Sequence, residues 1–436
     1  MPGVLIMTLM RKSINKDRLQ MPERFCFHQT GISLLFGCCM FVLLFSLNHR
    51  ALSQSSDLGD VGISLLTCDP GDELYSVFGH SAIRVWHPDR SFDVVYNYGT
   101  FDFNTPGFLM KFLRGKLPYM LSRSSYEQFL YAYNAEKRGI FEQELLLTPE
   151  EKRDMVHFLE WNLLPENRFY PYDFFFDNCA TRIRDVIPHV TQRMVKWSGE
   201  KTTKSFRDLL HEYLPGKPWT EFGIDLVIGA KADQTASVND QMFLPDYLYE
   251  HFEKATLVGS MGAGEPLTKE AYQVLIFDED RVKRLQTPFF TPHILFILCI
   301  LLEIFLVYSY GKSNWRVRYD NLFYAFLGLA SVVMMFLWFV TDHQATGQNW
   351  NLIWCSPLFF LLLLPKKYTH HKQYVLLILL TGCFLGLINI FLNYLPQVFN
   401  SYKTLIILLA IIKLTRGYMP FLKSEKTVQV NTLTTH

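Results

Sequence analysis

The chain has 436 residues, 49% of them hydrophobic, and 42 Lys and Arg against 41 Asp and Glu give a formal net charge of +1. That balance excludes nucleic-acid binding by bulk positive charge, and the hydrophobic content excludes disorder. Mean hydropathy is only +0.09, yet the apolar residues gather in the C-terminal third, which excludes a wholly soluble protein.

Residues 1–53 read as a basic leader and an export signal. Arg11, Lys12, Lys16, Arg18 and Arg24 precede the apolar run GISLLFGCCMFVLLFSL at 31–47. Its length lies between a signal-peptide core and a minimal membrane span. Ala51 and Ser53 are small residues suited to cleavage after Ser53, so a cleaved signal peptide is predicted, with a retained anchor as the alternative. The basic stretch is long enough for Met21 to serve as an alternative start.

Residues 54–288 form one predicted α+β unit outside the cytoplasm. VGISLLTC (61–68) reads as a strand, and SAIRVWH (81–87) and FDVVYNYG (92–99) read as a hairpin joined by PDRS. Amphipathic helices are predicted over 124–138 and 149–164, the second capped by Thr148 with Pro149 in its first turn. A further helix over 180–190 is expected to break at Pro188. Residues 103–121 are apolar and aromatic with Lys111, Arg114 and Lys116 interleaved, the pattern of an interfacial helix and chain-binding wall.

Five apolar segments follow, at 289–310, 321–341, 351–364, 374–392 and 401–414. They predict an all-α five-helix membrane domain over 289–415, with a cytoplasmic tail at 416–436. Loops with Lys312, Arg316 and Arg318, and with Lys366, Lys367 and Lys372, alternate with loops at 342–350 and 393–402 that carry no Lys or Arg. By the positive-inside rule the protein is expected to be multi-pass, its 54–288 domain outside the cytoplasm and its C-terminus cytoplasmic. Glu303 lies inside an apolar segment and is costly unless paired.

Of eight cysteines, only Cys68 and Cys179 fall in the exported domain. A disulfide between them is one reading; a nucleophile is the other. Cys179 sits where the aromatic run of YDFFFDNCATRIRD (172–185) gives way to a helix. A helix N-terminus stabilises a thiolate, and Arg182 and Arg184 add positive charge nearby. The base such a nucleophile needs is best supplied by His80, which follows Gly79 and opens a strand. If PDRS sets Phe92 opposite His87, Asn97 falls opposite Ala82 on the face of His80, where it can hold the imidazole tautomer. Arg84 shares that face and is a candidate for a phosphate or carboxylate. Tyr75 and Tyr98 are candidate oxyanion donors, and Asn178, Arg182 and His343 are further candidates for substrate or oxyanion binding. His343 belongs to FVTDHQATGQNWN (339–351) at the outer end of two spans, either an interface anchor or a floor to the active site. No CxxC or HExxH spacing occurs, so neither metal nor cofactor is expected.

The order His, polar residue, Cys resembles the circularly permuted NlpC-type branch of the papain-like hydrolases, which includes lecithin–retinol acyltransferase and its relatives. Membership would imply loading an acyl chain from a phospholipid onto Cys. TCDPGDELYSVFGHSAIRV (67–85), YNYGTFDF (96–103), FLRGKLPY (112–119), DNCATRIRD (177–185), FGIDLVIGAKAD (222–233), QMFLPDYL (241–248) and FVTDHQATGQNWNLIWCSPL (339–358) together resemble the bacteroidetal lipoprotein N-acyltransferase family (Lnb). The resemblance implies a permuted papain-like domain with His80 and Cys179 as its catalytic pair. It implies a phospholipid acyl donor and, as acceptor, the α-amine of the N-terminal diacylglyceryl-cysteine of a lipoprotein. A membrane-tethered NlpC-type amidase or peptidase acting on cell wall, and a non-catalytic envelope scaffold, are the competing expectations.

Overall fold

The computed structural model describes residues 58–197, 202–259, 264–277, 288–309, 314–365 and 371–433; the signal or anchor reading of 1–53 lies outside them. Strands are β1 (Gly62–Cys68), β2 (His80–Trp86), β3 (Asp93–Thr100), β4 (Pro118–Ser125), β5 (Ile140–Glu144), β6 (Phe169–Pro171), β7 (Met194–Lys196), β8 (Thr256–Val258), β9 (Gly264–Pro266) and β10 (Tyr272–Leu275). Seven of them make one antiparallel sheet in the order β10-β5-β1-β2-β3-β4-β6, and β7-β8-β9 make a small second one. All seven residues of β1 are buried, as befits a central strand covered on both faces.

The hairpin register is the one expected from PDRS. His87 N–H donates to Phe92 C=O at 3.1 Å and Trp86 pairs with Asp93, Ile83 with Tyr96. The next position brings Asn97 opposite Ala82. Period-two alternation then puts His80, Ala82 and Asn97 on one face.

Each face of the sheet has its own helices. Helices α1 (Phe108–Leu113), α2 (Tyr126–Ala135), α3 (Pro149–Leu163) and α4 (Cys179–Thr191) come first in the chain. Helices α3 and α4 close one core with Ile63, Leu65, Ile83, Val85, Tyr96 and Leu121, while α2 closes the other with Leu66, Cys68, Ala82, Val95, Phe129 and Tyr133. Thr148 and Glu151 form the reciprocal cap of α3. Pro188 does not break α4, which runs on to Thr191. A proline so near a helix end removes one hydrogen bond, and burial of Ile187 and Val190 outweighs it. The 103–121 stretch is not one helix: only Phe108–Leu113 is helical, and Pro118 already begins β4.

Arg84 corrects a second expectation. Its guanidinium donates to Asp93 at 2.7–2.8 Å and to Glu142 at 2.9–3.0 Å, and stacks 3.5 Å from the centroid of Tyr126. It is a buried, doubly paired ion inside the sheet, engaged by two carboxylates rather than open to a lipid phosphate.

Helices α5 (Phe206–His211), α6 (Pro218–Val227) and α7 (Pro245–Lys254) lead to the apolar region, where α8 (Pro292–Ser309), α9 (Asn314–Phe339), α10 (Lys372–Leu392) and α11 (Ser401–Leu433) follow. Among the described residues three helical stretches, Asn314–Phe339, Lys372–Leu392 and Ser401–Phe421, are long and apolar enough to cross a membrane, and Pro292–Tyr308 is a shorter apolar helix. The third predicted segment, 351–364, is not an α-helix. It folds as 3₁₀ turns at Trp350–Ile353 and Pro357–Leu363, wedged between α9 and α10. Pro357 breaks α-helical bonding, and the irregular backbone survives because Trp354, Cys355 and Phe359 are buried in protein.

Glu303 is paired. Lys413 Nζ lies 2.6 Å from Glu303 and 2.8 Å from Asp320, and Arg416 bonds both carboxylates. Two cations and two anions thus join α8, α9 and α11.

The exported and apolar parts are keyed together through α6. Phe222 and Leu226 pack into the apolar core. Asn349 Nδ2 donates to Leu226 C=O at 2.9 Å and Val227 C=O at 3.1 Å, Asn351 Nδ2 to Leu226 C=O at 3.1 Å, and Gln397 Nε2 to Ile228 C=O at 3.0 Å. These amides satisfy carbonyls that the end of α6 would leave open in an apolar setting.

Candidate active site

Asn178 aims the first residue of α4. Its Oδ1 accepts from Ala180 N–H and Thr181 N–H, both at 2.9 Å. Its Nδ2 donates to Phe174 C=O at 2.9 Å and Phe243 C=O at 2.8 Å. Every polar atom of its side chain is used, so Asn178 is a helix cap rather than an oxyanion donor. Cys179 follows as the first helical residue, with its sulfur facing the backbone N–H groups of Ser81, Ala180 and Cys179 itself. The Ser81 contact sets the sulfur one residue along the chain from His80.

His80 is fixed from two sides. Gly79 precedes it at φ +79°, and a Cβ there would meet Cys68 C=O at 2.8 Å; only glycine permits this turn. Across the hairpin, His80 Nε2 lies 3.3 Å from Asn97 Oδ1. An amide oxygen accepts, so Nε2 carries the proton and Nδ1 keeps its lone pair.

Burial sets the resting protonation. Desolvation and the nearby Arg138 charge pull His80 down to about 4, against the opposing pull of Asn97. Desolvation also raises Cys179 above an ordinary thiol, and the three N–H groups and Arg138 only partly offset it. Both directions favour thiol and neutral imidazole over the ion pair, because burial opposes the helix end that would stabilise a thiolate.

Arg138 is the charge that sequence reasoning missed. It is buried, donates from Nε to Asp69 C=O at 2.8 Å and from Nη1 to Glu136 at 3.0 Å, and its Nη2 has no hydrogen-bond partner. Its field reaches Cys68, His80 and Cys179. Arg184 instead pairs with Asp185 and Asn239 C=O. Arg182 pairs with Asp177 and lies 4.0 Å from the centroid of Tyr170.

Tyr170 and Tyr172 were missed as well. Gly99 has φ +83°, and a Cβ there would sit 3.7 Å from the Tyr172 ring, 3.9 Å from Cys179 Cβ and 4.0 Å from the Tyr170 hydroxyl. The buried Tyr170 hydroxyl lies beside the Gly99 backbone, in the neighbourhood of Cys179. Nothing in RFYPYDFFF marks these two rings, because the β4–β6 pairing brings them to Cys179.

Three further candidates lie elsewhere. Tyr98 is in the core with its hydroxyl on Asn162 at 2.7 Å, so it is no oxyanion donor. Tyr75 is exposed on a loop among Glu73, Glu136 and Arg138. His343 donates from Nε2 to Phe112 C=O at 3.1 Å; it holds α1 against the outer loop of the apolar domain. Cys68 and Cys179 are both free thiols, and burial pushes Cys68 up to about 12. Among the described residues, His211, Glu221 and Asp225 bring donor atoms within 4.8 Å of one another. Asp225 is already engaged by Arg207 at 2.6 Å, His211 at 3.0 Å and Asn400, which makes the cluster part of the domain joint.

A capped cysteine helix, a histidine held by a hairpin asparagine and a helical apolar domain keyed to the same unit form one pattern. Residues 48–212 match the Lnb N-terminal periplasmic domain, and residues 283–426 match the Lnb transmembrane domain. The chain belongs to the Lnb family. It is a membrane-anchored protein with a periplasmic N-terminal domain, and its Lnb domains are those of a lipoprotein-modifying enzyme family. No curated protein and no solved structure matches it. The two Lnb matches leave 213–282 unmatched, the stretch that contains α6, the element gripped by Asn349, Asn351 and Gln397.

Proposed function

We propose that this chain is an inner-membrane lipoprotein N-acyltransferase with a permuted papain-like catalytic domain and a cytoplasmic C-terminus. It moves a fatty acyl chain from a phospholipid, through a Cys179 thioester, to the α-amine of the N-terminal diacylglyceryl-cysteine of an apolipoprotein. The observation that carries the proposal is the Cys179, His80 and Asn97 arrangement on a domain keyed to a membrane unit.

In the first half-reaction His80 Nδ1 takes the thiol proton as the sulfur attacks the ester carbonyl. Asn97 holds the required tautomer. The oxyanion would be received by backbone N–H groups at the start of α4 and by the Tyr170 hydroxyl. His80 then protonates the departing alkoxide, and a lysophospholipid leaves. In the second half-reaction the neutral amine attacks the thioester, His80 accepts its proton, and collapse gives an amide while the proton returns to sulfur. No redox partner is needed, and the scheme is ping-pong. Anchoring the domain at the bilayer avoids lifting an acyl chain through water, which costs about 0.8 kcal/mol per exposed CH₂.

The test is intact-mass analysis of a lipoprotein's N-terminal peptide from a host whose own N-acylation is switched off. A gain of one acyl chain with the wild type, absent with Cys179→Ala, is expected. Equal masses with an inserted, folded protein would sink the proposal, and release of peptidoglycan fragments would then favour the amidase reading.

A further inference from the structure

A series of aromatic rings joins the membrane-side face of the periplasmic domain to Cys179. It begins on α1, where Leu109 is 67% and Met110 58% exposed. This short helix is held to the outer loop of the membrane domain: Asp342 N–H donates to Arg114 C=O at 3.0 Å, and Lys116 lies 3.6 Å from Asp342. From there the rings follow in sequence. Phe112 stacks on Phe108 at 6.2 Å, Phe108 meets Phe101 at 5.9 Å, Phe101 meets Tyr119 at 5.4 Å, and Tyr119 stacks on Tyr172 at 4.4 Å. Tyr172 borders the space beside Gly99 and Cys179. Phe103 flanks the middle, 4.9 Å from Phe101 and 5.0 Å from Phe108.

Core rings of this protein, such as Tyr96, Tyr98 and Phe175, are at most 2% exposed. The series differs: Phe101, Phe108, Tyr119 and Tyr172 are half-buried, and Phe103 and Phe112 are exposed. A half-covered apolar track that starts at a membrane contact and stops at a nucleophile needs a long, narrow, apolar occupant. Lys111 and Arg114 lie in α1 and at its end, with Lys116 just beyond, at the membrane end of the track, where they suit the anionic head groups of the surrounding lipids.

The geometry points to this track as the acyl-chain site. The acyl chain of a membrane phospholipid lies along Phe112, Phe108, Phe101, Tyr119 and Tyr172, with its ester carbonyl and the attached glycerol at Cys179 and its terminal methyl toward α1. The inference rests on the acyltransferase reading and adds to it the residues that select a long-chain lipid ester.

The test uses the full-length protein in nanodiscs and compares two donors, dipalmitoyl phosphatidylethanolamine in the disc and soluble p-nitrophenyl acetate. Acyl-Cys179 is measured by mass. Acetate needs no track, so the ratio of palmitoyl to acetyl thioester reports the track alone. Phe108→Asp is expected to lower that ratio about tenfold or more, and Phe108→Leu to keep it near the wild-type value. Phe112→Asp, at the exposed end and least tied to folding, is expected to move it in the same direction. An unchanged ratio in both Asp variants overturns the inference while leaving acyl transfer intact. Failure of wild-type Cys179 to accept either acyl group overturns the acyltransferase reading and this inference with it.

Discussion

Asn97 Oδ1 stands 3.3 Å from His80 Nε2 across the β2–β3 hairpin, which fixes the nitrogen that carries the proton. Losing the base itself removes a factor of about 10²–10⁴. His80→Ala is expected in that range, and Asn97→Ala, which frees the tautomer but keeps the base, at a smaller loss of about tenfold. Single-turnover acylation of Cys179 measures both. A larger loss for Asn97→Ala than for His80→Ala would contradict the assignment.

The pH dependence follows from two directions. Burial and Arg138 hold His80 down to about 4, so the base is lost only as pH falls through about 4. Burial lifts Cys179, so its thiolate forms above the ordinary thiol range. Acylation of Cys179, the half-reaction that needs only these two groups, should be flat between about pH 5 and 8. The rate of iodoacetamide alkylation should climb through that interval without levelling off. A plateau below pH 7 would reveal a resting thiolate–imidazolium pair instead.

Tyr170 has a buried hydroxyl beside Gly99 and near Cys179, and is proposed as an oxyanion donor. Tyr170→Phe removes one oxyanion donor and is expected to lower the rate by up to about 10²-fold, with donor-lipid KM little changed. A KM effect alone would assign the ring to lipid contact.

The buried ion quartet should respond to charge balance. Glu303→Leu leaves Lys413 and Arg416 facing Asp320 alone, an uncompensated charge costing about 3–5 kcal/mol. Adding Lys413→Met restores neutrality around Arg416 and Asp320. The double variant should therefore unfold in detergent at a higher temperature than the single one, the reverse of additive damage.

At the domain joint, Asn349→Leu takes the side-chain donor from Val227 C=O, while Leu226 C=O keeps Asn351. Leaving such a group unsatisfied costs about 1–3 kcal/mol. A lower thermal midpoint and faster proteolysis between the domains are expected. An unchanged midpoint would mean that water reaches that carbonyl.

Much of this protein is written locally. The strand at 61–68, the PDRS hairpin and the Thr148 cap depend on periodicity and turn chemistry within a few residues, and the structure has them at those places. Hairpin register is local too, which is why Asn97 could be set on the face of His80 from sequence. The apolar segments are equally plain, because a bilayer demands long apolar runs.

Contacts between distant segments were not legible. Arg84 reads as an available cation until β5 brings Glu142 beneath it. Arg182 reads as a neighbour of Cys179 until Asp177 claims it, whereas Arg138, from the turn before β5, supplies the actual charge. Glu303 looks anomalous until α11 arrives with Lys413 and Arg416. Sequence alone determined the helix end that presents Cys179 and the strand that begins at His80, since backbone preferences act between neighbours. Only the tertiary structure decided their burial and the charge that bears on them, since burial and long-range charge have no local signature.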